Sequence, residues 1–124
     1  DARPARRVVI ADDNADAAWP VARMLELAGY SVRIAHSGEE ALALVSEESV
    51  DAVILDIGLP GLSGYEVAIR LRARPGAEAI VLVAATGWGQ PDDLAKAREA
   101  GFDMHFVKPL DVRTLVAELS QRLG

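Results

Sequence analysis

Short apolar runs rich in β-branched residues alternate along this chain with stretches whose apolar positions recur every three or four residues. Val8 to Ala11, Val32 to Ala35, Ala52 to Asp56, Ile80 to Thr86 and Met104 to Lys108 read as strands. The intervening stretches read as helices. Val21, Met24, Leu25 and Ala28 mark the inner face of the first, with Gly29 as its C-cap. Ser37 with Glu40 three residues on spells a capping box, followed by an inner face of Ala41, Leu42 and Val45. A third helix runs from about Tyr65 to Arg74 and stops at Pro75-Gly76. A fourth starts near Pro91 and ends before Gly101, and Asp111 caps a fifth with Val112, Leu115, Val116, Leu119 and Leu123 facing inward. Five strand–helix pairs predict an α/β fold with one parallel sheet and right-handed crossovers that place helices on both faces. One segment resists this pattern. Proline costs about 3 kcal/mol in a helix interior, so Trp19-Pro20 predicts a late helix start capped by Asp16, or a kink.

The pattern leaves room for one domain in 124 residues. A net charge of −6 argues against a nucleic-acid-binding face, which is usually basic. The absence of cysteine excludes disulfides and thiolate metal sites, and two histidines, His36 and His105, are too few for a histidine-rich one. No apolar stretch approaches the roughly 18 to 20 residues that span a bilayer. The N-terminal segment has no apolar signal core, so a cytoplasmic location is expected. Residues 1–6 read as a tail or linker and 7–124 as the domain. The missing initiator Met suggests a segment of a longer protein.

Four of the strand-like runs end in chemistry: Asp12-Asp13, Asp56, Thr86 and Lys108. In a parallel α/β sheet these ends share the carboxyl edge, where ligands bind. Three carboxylates against one ammonium are unfavourable unless a cation joins them or a pKa rises. Oxygen-only ligands suit a hard cation, and Mg²⁺ keeps several waters beside one or two carboxylates. The Gly58 backbone carbonyl is a further candidate ligand. With Mg²⁺ and Lys108 neutralising phosphoryl oxygens, a carboxylate can act as nucleophile. Asp56 suits that role because it stands alone, whereas Asp12 and Asp13 form a pair suited to metal; the Thr86 hydroxyl would donate to the phosphoryl group.

The segments Val8-Val9-Ile10-Ala11-Asp12-Asp13-Asn14, Leu55-Asp56-Ile57-Gly58-Leu59-Pro60-Gly61-Leu62-Ser63-Gly64, Ala85-Thr86-Gly87 and Phe106-Val107-Lys108-Pro109 follow in order. Together they resemble the receiver domain of bacterial two-component response regulators, over about Arg7 to Leu123. The stretches Thr86 to Pro91 and Ala100 to His105 are similar to receivers fused to hybrid histidine kinases. The resemblance implies a flavodoxin-like three-layer sandwich with strand order 2-1-3-4-5. It implies that Asp56 accepts phosphate from a phosphohistidine on a histidine kinase or histidine phosphotransfer protein, or on a fused domain of the same polypeptide. It further implies that Asp12, Asp13, Asp56 and the Gly58 carbonyl hold Mg²⁺, that Thr86 and Lys108 read the phosphate, and that Lys108-Pro109 is cis.

Two positions depart from the family pattern. His105 stands at the switch position where receivers commonly carry Tyr or Phe, and Phe106 falls on the opposite strand face. Trp88, two residues after Thr86, places a ring at the site mouth, where it would shield the aspartyl phosphate from water. Arg70, Arg72 and Arg74 read most simply as a solvated helical face. The expected function is a phosphorylation-controlled signalling switch rather than a turnover enzyme. Two other readings compete: a degenerate receiver that only docks, and a haloacid-dehalogenase-type phosphatase. The latter wants a second aspartate where Gly58 stands.

Overall fold

A computed structural model describes residues 5–87 and 91–123. Trp88, and residues 1–4 of the expected tail, lie outside the described residues. Five strands alternate with five helices: β1 (Arg7–Ala11), α1 (Ala15–Leu27), β2 (Ser31–Ala35), α2 (Gly38–Glu47), β3 (Ala52–Asp56), α3 (Gly64–Arg72), β4 (Val81–Thr86), α4 (Pro91–Ala100), β5 (Met104–Val107) and α5 (Val112–Leu123), with a 3-10 turn at Ala77–Ala79 before β4. The strands form one parallel sheet in the order β2-β1-β3-β4-β5.

Strand alternation splits the core in two. Val9, Val53, Leu55, Leu82 and Ala84 point to one face and pack with Ala41 and Leu44 of α2, Val67 and Leu71 of α3, and Ala97 of α4. Val8, Ile10, Ile54 and Val83 point to the other and pack with Ala18 and Leu25 of α1 and Leu115 and Leu119 of α5. A strand buried on both faces is apolar along its length, as β3 and β4 are up to their last residues, Asp56 and Thr86. Among the described residues no helix is long and apolar enough to cross a membrane.

The structure overturns the late start expected from Pro20. Asp16 is not the cap: α1 starts at Ala15, and the Asn14 side chain accepts from the backbone N–H groups of Asp16 at 3.0 Å and Ala17 at 3.3 Å. Pro20 is the sixth helical residue, past the first turn. Of the expected inner face, Leu25 is buried and Val21 packs against the core, but Met24 and Ala28 are exposed. Ala18, Ala22 and Leu25 are buried, whereas Met24 is 47% exposed. Ala18, Ala22 and Leu25 face the sheet, whereas Trp19, Met24 and Leu27 face outward. Gly29 does follow the helix with φ of 102°, a left-handed conformation in which glycine has no Cβ penalty.

The α2 capping box is shifted by one residue. Ser37 Oγ accepts from the Glu40 N–H at 3.1 Å, and the Glu40 carboxylate reaches the N–H of His36 rather than that of Ser37. α3 ends at Arg72, two residues short of expectation, and its arginines are not a solvated face. Only Arg70 is exposed; Arg72 and Arg74 are half-buried and hydrogen-bonded.

Candidate functional site

The carboxyl ends of β1, β3, β4 and β5 bring Asp12, Asp13, Asp56, Thr86 and Lys108 to one edge of the sheet. Asp12 follows β1 directly and is buried to 7% exposure; its backbone N–H donates to the Ala35 carbonyl at 3.0 Å, extending the β1–β2 ladder by one bond. The Asp12 carboxylate also accepts from the Asn14 N–H at 2.9 Å. Asn14 therefore both orients Asp12 and caps α1, and the Asp-x-Asn spacing was the signal for that double role. Asp56 closes β3 and is half-buried, its carboxylate accepting from the Gly58 N–H at 2.9 Å.

Lys108 Nζ lies between the two acids. It donates to Asp56 Oδ2 at 3.0 Å and to Asp12 Oδ2 at 3.3 Å. Burial works against the ammonium, but the hydrogen bonds and charges of Asp56 and Asp12 outweigh it and raise the Lys108 pKa above its ordinary value. The backbone holds the lysine in place through its N–H, which donates to the Thr86 carbonyl at 2.7 Å. The Lys108-Pro109 bond is cis, as expected. Thr86 is buried at the end of β4.

Oxygens of Asp12, Asp13 and Asp56 lie within 4.8 Å of one another, a spacing able to hold a metal ion. Asp13 is the exposed member, so the cluster opens to solvent on that side. Three carboxylates share one ammonium, leaving two negative charges uncompensated. The donor set is oxygen alone, which fits a hard divalent cation.

One neighbour of Asp56 escaped the sequence reading. An added Cβ on Gly64 would stand 2.7 Å from the Asp56 carbonyl oxygen and 2.9 Å from Ile57 Cα. Gly64 lets the start of α3 press against the end of β3, and Ser63 caps that helix by accepting from the Glu66 N–H at 3.3 Å. A glycine directly after a capping serine was the available signal.

His105 pairs in register with Ala84 and is half-buried on β5, flanked by Met104 and Phe106, which pack with the α1/α5 side of the core. Its ring therefore lies on the α4 side, where Leu94, Ala97 and Arg98 line a small cavity with it. Its Nε2 is buried without a hydrogen-bond partner among the described residues. Phe106 faces α1 and α5, as the strand period predicts.

A family model for the response regulator receiver domain matches residues 8–120. Among curated proteins, the virulence sensor protein BvgS of Bordetella pertussis is 37% identical over 123 residues, covering 95% of this chain and 10% of that protein. The transcriptional regulatory protein PrrA of Mycobacterium tuberculosis is 36% identical over 117 residues, covering 94% of this chain and 49% of that protein. The chain thus spans half or less of the length of these relatives. Among solved structures, a CheY-like response regulator receiver domain protein from Methanospirillum hungatei matches with a TM-score of 0.86 at 28% identity, covering 96% of this chain and 94% of that one.

Proposed function

The chain belongs to the response regulator receiver domain family, and from that premise we propose that Asp56 is its phosphoacceptor in a histidine-to-aspartate phosphorelay. The supporting observation is the Lys108 ammonium held between Asp56 and Asp12 inside a cluster of three carboxylates. An Asp56 carboxylate oxygen attacks phosphorus, the phosphorus–nitrogen bond of a partner's phosphohistidine breaks, and the neutral imidazole leaves. Lys108 sits where it stabilises charge on the transferred phosphoryl oxygens, and the Thr86 hydroxyl donates to one of them. Asp12, Asp13, Asp56 and the Gly58 carbonyl are the groups that would hold Mg²⁺. When bound, the ion supplies the positive charge that the cluster lacks and that phosphoryl transfer requires.

The added phosphate then draws Lys108 and Thr86 toward itself and biases the surface formed by α4, β5 and α5. His105 occupies the switch position. Its buried Nε2 has no hydrogen-bond partner among the described residues, a cost of about 1 to 3 kcal/mol that a rearrangement giving it one would recover. We assign the donor to a histidine kinase or a histidine phosphotransfer protein, in another chain or in the same polypeptide, and place the reaction in the cytoplasm. Residues 7–124 form the receiver and 1–6 a tail in this reading. The domain catalyses its own phosphorylation and slow hydrolysis without acting as a turnover enzyme.

The test is incubation with a small phosphodonor and Mg²⁺. The wild type takes up label and Asp56→Asn takes up none; equal labelling of the two would overturn the assignment.

A further inference from the structure

A cleft of about 570 Å³ opens beside the acidic cluster, between α1 and the segment joining β5 to α5. Its volume falls within the range of roughly 300 to 1,000 Å³ typical of small-molecule sites. The cleft exists because α1 turns small side chains, Ala17 and Ala18, toward this side, while Val21, Met24, Leu110 and Val112 form its apolar walls.

The polar groups of the cleft are unusually one-sided. Asp12, Asp16 and Asp56 are the acidic residues among its lining. Among the described residues Lys108 is the one lining side chain with a strong donor, and its ammonium is already engaged by Asp12 and Asp56. Two lining residues, Pro20 and Pro109, have no backbone N–H to offer. Pro20 also deprives the Asp16 carbonyl, four residues earlier, of its regular helical donor. The lining is therefore mostly apolar, with three acids against one ammonium, and poor in available donors among the described residues.

We infer that this cleft is a binding site for an amphipathic organic cation: an amidinium or alkylammonium head at the Asp12 and Asp16 end, carried on an apolar body lying against Val21, Met24 and Leu110. The charged donors meet the carboxylates, and the body displaces water from the apolar wall. The cation shares Asp12 with the proposed metal site, so the two compete. Occupancy of the cleft does not require phosphorylation.

The probe is p-pentylbenzamidine, with the neutral isostere p-pentylbenzamide as control, titrated into the metal-free domain by calorimetry and followed by amide shifts in α1 and around Leu110. The amidine binds saturably, and the amide at least roughly tenfold more weakly. Mg²⁺ weakens the amidine and leaves the amide unaffected. Asp16→Asn, an exposed position outside the proposed phosphorylation machinery, weakens the amidine severalfold while Mg²⁺-dependent labelling of Asp56 persists. Val21→Trp, which fills the cleft, abolishes binding of both compounds. Absence of saturable binding, equal affinity for the two compounds, or indifference to Asp16→Asn would overturn the inference even if Val21→Trp failed to fold. Loss of Asp56 labelling in the wild type would sink the phosphoacceptor reading alone.

Discussion

The two ends of the sheet both carry acids, yet they are built on opposite principles. At the amino end Asp51 and Asp103 are both matched. Asp51 accepts from the Arg7 N–H at 2.8 Å and pairs with Arg6 at 3.5 Å. Asp103 accepts from the Leu82 N–H at 2.8 Å and from Arg72 at 2.7 Å. The same Arg72 donates to the carbonyls of Gly101, Ala77 and Ile80, so one guanidinium ties the end of α3, the 3-10 turn and the α4–β5 turn together. At the carboxyl end three acids share one lysine. Balanced acids satisfied by backbone N–H groups are staples. An excess of acids held in place by the same kind of backbone bond is a site awaiting a cation.

This contrast can be broken at either end. The largest effect is expected at Arg72. Arg72→Met leaves three carbonyls and one carboxylate short of a donor, at a cost of about 2 to 4 kcal/mol. Urea unfolding would measure it, and Mg²⁺ affinity of the folded variant stays unchanged. A loss below about 0.5 kcal/mol would mean that Arg72 is a surface ornament.

Charge removal should act with opposite signs at the two ends. Asp103→Asn forfeits its ion pair and destabilises by about 1 kcal/mol. Asp13→Asn relieves repulsion and stabilises the metal-free domain by about 0.5 kcal/mol at low salt, while weakening Mg²⁺ binding. Denaturant midpoints with and without Mg²⁺ test both. The same sign at both ends would dissolve the distinction.

A pH series sharpens the site itself. The Lys108 pKa is raised in the fold, so its stabilising contribution is complete below the ordinary lysine value of 10.5 and is lost as pH climbs through the higher folded value. At neutral pH Lys108→Met is less stable than the wild type, and the gap narrows in the alkaline range. A gap that stays constant to the alkaline limit would contradict the pairing. The smallest effect concerns Trp88: Trp88→Ala should shorten the half-life of the aspartyl phosphate by about twofold if the ring shields it from water.

Much of this architecture was legible in the chain. The apolar runs located every strand to within a residue or two, because strands buried on both faces must be apolar throughout. The chemistry at their ends was legible too, since a parallel sheet brings successive carboxyl ends to one edge. The inner face of α1 was legible only in part: Val21 and Leu25 hold, but Ala18 and Met24 both fit helical spacing and only packing chooses between them. Arg72 was misjudged for a related reason: its partners lie in segments up to 31 residues away, and three of them are backbone carbonyls that no sequence pattern marks.

The sequence by itself determined the order of elements, the burial of the sheet and the identities of the groups at its carboxyl edge. These follow from local periodicity and from the geometry that all parallel sheets share. Only the tertiary structure decided which acids are neutralised and which remain in excess. It also opened the donor-poor cleft beside α1 and left His105 Nε2 without a partner among the described residues. Those properties depend on distances between side chains remote in the chain, and on how closely small residues let neighbouring elements approach.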